Sequence, residues 1–378
     1  MSRYFSWSRF WAVLMKEFVQ MRRDRLTFAM MVGIPILQLI LFGFAINSDP
    51  RALPTAVLSA DNSEFSRSFV RAVENSGYFR VVRQVTSERE VERLLAEGRV
   101  QFVISVPENF SRKLVRGEQP VLLVEADATD PAATSNALSA LKTLNQTALA
   151  RDLGGTLAHL RNGPPPFEVR VHRRYNPEGI TQYNIVPGLI GTILTMTMVI
   201  MTSLAMTRER ERGTMENLLA TPVRPIEVMT GKIVPYIIVG YIQVAIILAA
   251  AKLLFTVPVV GSVALLSLVL VLFIAANLAV GFTFSTLARN QLQAMQMAFF
   301  FFLPSILLSG FMFPFRGMPE WAQWLGEVLP LTHFLRILRG ILLKGNGMAE
   351  IGSELWPIAA FLLVAGAIAL LRYRETVD

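Results

Sequence analysis

Residues 208–232 read RERERGTMENLLATPVRPIEVMTGK. The stretch lies between two long apolar segments, so it forms a loop at a membrane face. Acids and bases alternate through Arg208, Glu209, Arg210, Glu211 and Arg212, and the ladder breaks at Gly213-Thr214. A short amphipathic helix can follow, with Met215, Leu218 and Leu219 on one side at i, i+3, i+4 spacing. Pro222 and Pro225 are expected to end that helix, because proline cannot continue one. The loop, through Thr221 and on to Gly231 and Lys232, reads as the place where another protein pushes on a membrane domain.

Composition supports a membrane domain. The 378 residues are 53% hydrophobic, above the roughly 45–50% of soluble globular domains, and mean hydropathy is +0.45. Six stretches are long enough to cross a bilayer, which takes about 20 apolar residues each. The sequence has no cysteine, which excludes disulfides, thiol catalysis and thiolate metal sites. His159, His172 and His333 are scattered. The formal charge of +8 comes largely from bases beside the spans, as positive-inside anchoring requires, so nucleic acid is not the expected partner. No cleavable signal peptide is expected, because the first apolar run starts late.

In chain order, residues 1–26 make an amphipathic helix for the cytoplasmic headgroup plane, with Trp7, Phe10, Trp11 and Leu14 opposite Arg9 and Lys16. Span one covers residues 27–47. Residues 48–183 change character: short strand patterns alternate with helix patterns, which argues for a compact α/β domain outside the cytoplasm. The strand candidates are 52–58, 80–85, 100–106, 121–124 and 167–172. Ser87 with Glu90 makes a capping box, Pro107 and Pro131 suit first helical turns, and Gly98 and Gly117 are stops. Residues 184–378 hold spans two to six, near 185–206, 233–254, 262–287, 294–315 and 355–371. Residues 315–345, with Trp321, Trp324, Leu329 and Leu331 among Arg336, Arg339 and Lys344, read as short helices dipping into the outer leaflet. The expected fold is an α-helical polytopic membrane protein of six transmembrane helices with an extracytoplasmic α/β domain between spans one and two. Both termini face the cytoplasm.

No span carries an ionisable residue near its middle, where ion-coupled transporters and proton pumps need one. The polar residues there are mild: Thr192, Thr195, Thr202, Gln296, Ser305 and Ser309 among them. Singly, each reads as a helix–helix hydrogen bond before it reads as a substrate contact. Thr195 and Thr202 share a face with Gly188 and Gly191, either a packing seam or the wall of a pathway. There is no Walker A motif, since Gly231-Lys232 lacks the phosphate-cradling spacing, so the chain cannot power itself with ATP. Nor is there a Gly-x-Ser-x-Gly elbow or a zinc-type His motif. The chain is not read as an enzyme, and it offers no catalytic or metal site.

The segment GTMENLLATPVRPIEVMTGKIVPY resembles the one after the second span of ABC-2 type permeases, the membrane subunits of type V ABC exporters. IPILQLILFGFAIN in span one, LPSILLSGFMFP closing span five and MPEWAQWLGEVLPLTHFLRILRGILLKG after it agree with that family. The large inserted domain points to its bacterial subgroup. The resemblance implies a dimer, with a second copy or a paralogue, bound to cytoplasmic ABC ATPase subunits. ATP and magnesium would be held there, leaving this chain without a cofactor. It implies that the N-terminal helix and residues 208–232 touch those subunits, that spans two and five line the pathway, and that residues after Phe315 gate it. It leaves room for a periplasmic adaptor and an outer-membrane channel, with membrane lipids around the spans. The function expected is export of a hydrophobic or amphipathic substrate from the cytoplasm or the inner membrane of a bacterium. The rival is a mechanotransmitting or signalling subunit, whose periplasmic domain drives or senses a partner while nothing crosses.

Overall fold

The computed structural model describes residues 49–160, 164–211 and 225–375, with scattered positions between 29 and 44. The N-terminal amphipathic stretch, most of span one and residues 212–224 lie outside the described residues.

The α/β domain is a five-stranded sheet in the order β2-β1-β3-β4-β5. Its strands are β1 (Leu53–Ser59), β2 (Phe79–Val85), β3 (Phe102–Val106), β4 (Val121–Asp127) and β5 (Glu168–Arg174). β1 pairs parallel with β2 and β3, β4 runs antiparallel to β3, and β5 lies parallel to β4. The helices are α1 (Glu64–Asn75), α2 (Glu88–Ala96), α3 (Phe110–Val115) and α4 (Pro131–Thr147).

Their ends follow local chemistry. Ser63 and Ser87 accept the amides of Ser66 and Glu90, and Asp130 accepts those of Ala132 and Ala133 ahead of Pro131. Pro107 does not open a helix: the chain turns through Asn109, at φ 58°, and α3 starts at Phe110. Alternation along the strands sends Leu53, Val57, Phe102, Ile104, Leu122 and Val124 under α1, α3 and α4. The opposite set, Ala56, Val85 and Val103, meets Val91, Leu94 and Leu95 of α2. Each such buried side chain stabilises the domain by about 1.5–3 kcal/mol. α2 covers only the β2-β1-β3 side of its face. Over β4 and β5 that face carries Glu125 and Asp127 instead, with Arg174 2.6 Å from Glu125.

Five of the described helices are long and apolar enough to cross a membrane. They are α5 (Gln182–Glu211), α6 (Pro225–Phe255), α7 (Val263–Leu287), α8 (Gln291–Leu308) and α11 (Met348–Glu375). The described positions from 29 to 40 are helical too, and Leu41 packs against Leu307, Leu308 and Met318. Pro225 is the first described residue of α6, and the short helix it was expected to end lies outside the described residues. α6 is thus helical from eight residues before the apolar run expected from 233.

A second correction concerns α9 (Glu320–Val328) and α10 (Pro330–Arg339). α9 leaves Trp324 77% exposed, as an interfacial helix should. α10 does not lie at the surface. Leu331, Phe334, Leu335 and Leu338 are buried in the main membrane core, and Phe334 stacks on Phe273 of α7 at 3.9 Å. The physical reason is the glycine at 191: a Cβ there would come within 2.7 Å of Leu331 and 2.9 Å of Leu335. α5 is thus notched where α10 crosses it.

Candidate functional site

The apolar part of α5 ends at Ala205, yet the helix runs on to Glu211. Arg208 and Glu211, opposite charges at i, i+3, support such an extension by about 0.2–0.5 kcal/mol. Glu211 accepts the backbone N–H of Gln291 at 2.8 Å and a second hydrogen bond from the Gln291 side-chain amide. These bonds hold its carboxyl below the usual carboxylate range. Gln291 opens α8, whose positive N-terminal end favours an anion. The charged end of span two is therefore tied to the start of span five.

Arg208 is helical and exposed. Glu209 and Arg210 are helical, their side chains outside the described residues. Gly213, Thr214, Glu216, Leu218, Leu219, Thr221 and Pro222 also lie outside them. Gly231 and Lys232 fall within the first two turns of α6.

The mild polar residues of spans two and five are enclosed in this conformation. Thr195 and Thr202 donate to Gly191 O and Met198 O at 2.9 and 2.8 Å, one turn back on their own helix. Ser305 and Ser309 do the same with Phe301 O and Ile306 O. Gly281 of α7 packs on Thr202 so closely that a Cβ would stand 2.8 Å from it. Two groups stand apart: Thr192 Oγ1 and Gln296 Oε1 are buried without a partner. In a dry interior such an orphan costs about 1–3 kcal/mol.

At the other end of α5, where Asn176 holds Ile180 in the link from β5, the two domains meet. Lys344, closing the turn Gly340–Lys344 after α10, donates to Asp127 at 2.6 Å and to Leu95 O at 2.8 Å. It also lies over the Tyr175 ring at 5.0 Å, and Asn346 donates to Ala96 O. Burial and the nearby Asp127 push the Tyr175 hydroxyl up to about 12.

Beside this joint, His333, Arg336, Glu327 and Glu354 form one network. Arg336 reaches Glu327 at 2.6 Å and Glu354 at 3.2 Å. The His333 nitrogens face the Glu327 carbonyl at 2.8 Å and the Glu354 carboxylate at 2.6 Å. A carbonyl can only accept, so Nε2 carries hydrogen, and Nδ1 and Glu354 share a further proton. Sequence reading missed these residues. The available signal was His333, Arg336 and Arg339 at three-residue spacing on one face of a helix; the sequence alone leaves His333 isolated and places the arginines in helices dipping into the outer leaflet.

Among the described residues no cluster of His, Asp or Glu is arranged to hold a metal ion. What the geometry does offer is a packed helical membrane core with one charged, helix-borne end and an opposed polar joint. The comparisons agree with that architecture. Over 369 residues the chain is 30% identical to "Probable multidrug ABC transporter permease YbhR" of Escherichia coli (strain K12), covering 98% of this chain and 99% of that one. It is also 30% identical over 367 residues to "Probable multidrug ABC transporter permease YbhS" of the same organism, covering 96% of each. A solved domain of a putative ABC type-2 transporter from Thermotoga maritima MSB8 superposes with a TM-score of 0.27, at 19% identity over 32% of this chain and 84% of that one, too remote to argue from. The family described as ABC-2 family transporter protein matches residues 25–371, and the chain belongs to it.

Proposed function

We propose that this chain is the permease subunit of an ATP-driven exporter in a bacterial inner membrane, moving a hydrophobic or amphipathic substrate outward. The observation that carries this reading is α5, one helix of 30 residues from the α/β domain to a charged end beyond the apolar core. A stiff rod keyed into α10 and α7 transmits a push; a flexible loop there could not. The ATPase, with its ATP and magnesium, docks at residues 208–232 in this reading. Arg208, Arg289 and Arg372 at that end support a cytoplasmic face. The α/β domain, at the opposite end of α5, is then periplasmic, and residues 27–47 supply a sixth span.

Thr192, Thr195, Thr202, Gln296, Ser305 and Ser309 line the pathway in the open state. The unpaired Thr192 and Gln296 oxygens support this, since opening gives them partners. A second copy or paralogue covers the apolar stripe Ile185, Leu189, Ile193 and Met196, exposed on a helix otherwise central to the bundle. One specific observation favours a second reading. The Lys344 tie would carry motion of α10 into the α/β domain, as a mechanotransmitting subunit requires.

Purification with the ATPase encoded beside it, followed by ATP hydrolysis in nanodiscs, tests the first reading. A stable complex whose stimulated hydrolysis is lost on Glu216→Lys is the expected result. Failure of any ATPase to bind refutes it. Hydrolysis stimulated by a periplasmic protein and not by substrate selects the second reading.

A further inference from the structure

Between the two domains lies a cavity of about 260 Å3, roofed by Gln101, Asp127, Asp130 and their neighbours and floored by residues 309–354. Most of its charged groups are already satisfied. Lys344 holds Asp127, and Arg336 holds Glu327 and Glu354. What remains is divided by sign between the walls.

On the membrane-helix wall, Arg339 spends one donor on Gly310 O at 3.1 Å while its Nε is buried without a partner. Arg316 lines the same wall at its exposed rim, near Arg336, Glu327 and Glu354, with no hydrogen bond to any described residue. On the α/β wall, Asp130 uses Oδ1 for Ala132, Ala133 and Asn184, leaving Oδ2 open. One end of the Gln101 amide is also buried without a partner. Arg339 and Asp130 attract one another across the gap but do not form an ion pair. Burial lowers the Arg339 guanidinium and raises the Asp130 carboxyl. Both groups are half-buried, so each charge has lost part of the solvation it would have in water.

We propose that this cavity binds a small zwitterionic group: an ammonium held by Asp130 and Gln101, and an anionic oxygen cluster held by Arg339 and Arg316. A simple anion would face Asp130 and Asp127, and a simple cation would face Arg339 and Arg316, neither of which is closed into an ion pair. Only a ligand of both signs satisfies both walls. The volume admits a group of ethanolamine-phosphate size, which can arrive as a free solute or as the headgroup of a phospholipid. The site is independent of the export reading, since it needs neither nucleotide nor a second subunit.

The test is equilibrium binding to the purified full-length chain in detergent, with O-phosphoethanolamine, inorganic phosphate and ethylammonium as probes. O-phosphoethanolamine should bind saturably and at least tenfold tighter than either half. Each charge-assisted contact removed should weaken it about 10- to 100-fold, in Arg339→Gln, in Arg316→Gln at the exposed rim, and in Asp130→Asn, which keeps the helix cap. Native mass spectrometry from nanodiscs containing phosphatidylethanolamine or phosphatidylglycerol separates the sources. Selective retention of phosphatidylethanolamine, lost in Arg316→Gln, assigns the headgroup; tight binding of the free probe alone assigns the solute. Phosphate binding as tightly as O-phosphoethanolamine, unchanged binding in both Arg316→Gln and Asp130→Asn, or no binding of either source overturns the proposal.

Discussion

Replacing Lys344 by methionine should loosen the joint between the domains without opening a hole. The Lys344 and Asp127 side chains are only 7% and 8% exposed, and they meet at 2.6 Å. Removing one partner of such a buried pair costs about 3–5 kcal/mol, much of it the penalty of a stranded charge. Thr129 already gives Asp127 two hydrogen bonds, so the stranded carboxylate is partly held and the lower end of that range applies. Leu95 O also loses its donor, and the contact with the Tyr175 ring is lost. Methionine keeps most of the aliphatic volume. About 3 kcal/mol is roughly a 100-fold change in a local opening equilibrium. Hydrogen exchange of the peptide spanning 340–347, measured on the intact protein in detergent, should therefore lose about 100-fold in protection. Adding Asp127→Asn removes the stranded charge, and the double variant should recover to within about tenfold of wild type. Wild-type protection in Lys344→Met, or equal loss in the single and double variants, would refute the reasoning.

Gly281→Ala should lower the thermal midpoint: its Cβ would stand 2.8 Å from Val199 O and from Thr202 Cβ, and overpacking of about 1–3 kcal/mol exceeds the helix gain of roughly 0.8–1 kcal/mol. Gly366→Ala, with nothing within 4 Å, should raise it instead. The reverse order in a fluorescence melting series would contradict the packing. Asp61 accepts the amides of Ser63 and Ser111. Burial opposes ionisation there, but these bonds win and its carboxyl sits below the usual range. That stability is present above the ordinary carboxylate value and is lost as pH falls through the lowered one. Asp61→Asn should flatten the acid arm of the α/β domain's stability curve; an unchanged slope removes Asp61 from the account. Glu211→Lys breaks both contacts with Gln291 and places a cation at the positive end of α8. Hydrogen exchange at the start of α8 should rise in Glu211→Lys, and wild-type protection there would remove the tie from the account.

Five of the six expected membrane helices were legible because apolar length is a property of the chain alone, although the fifth expected span ends at Leu308 rather than near residue 315. So were the five strands, whose bounds shift by only one to three residues, since Gly98 and Asp130 mark their neighbours locally. The depth of α10 was not legible. PLTHFLRILR has the amphipathicity of a surface helix, and what buries it is a notch at Gly191, 140 positions away in sequence. The groups that meet at the joint come from the end of α2, β4, the turn Gly340–Lys344 and the segments around Tyr175 and Asn346. No spacing rule links Asp127 to Lys344, whose contact spans 217 residues.

The helices that bracket residue 212 to residue 224 are longer than their apolar windows. α5 continues for six residues past Ala205, and α6 begins nine residues before Val234. At 1.5 Å per residue these overhangs reach about 9 and 13 Å, while a headgroup layer is only about 5–8 Å deep. If these helices span a bilayer, both ends would reach past the lipid phosphates into water. There the dielectric is high and the screening length is about 8 Å at physiological salt, so ion pairs along Arg208–Arg212 would hold a docked protein weakly. If a protein docks at this loop, binding strong enough to transmit force would have to come from apolar residues such as Met215, Leu218 and Leu219, with the charges setting approach and orientation. Such an attachment would persist at ionic strengths that slow its formation.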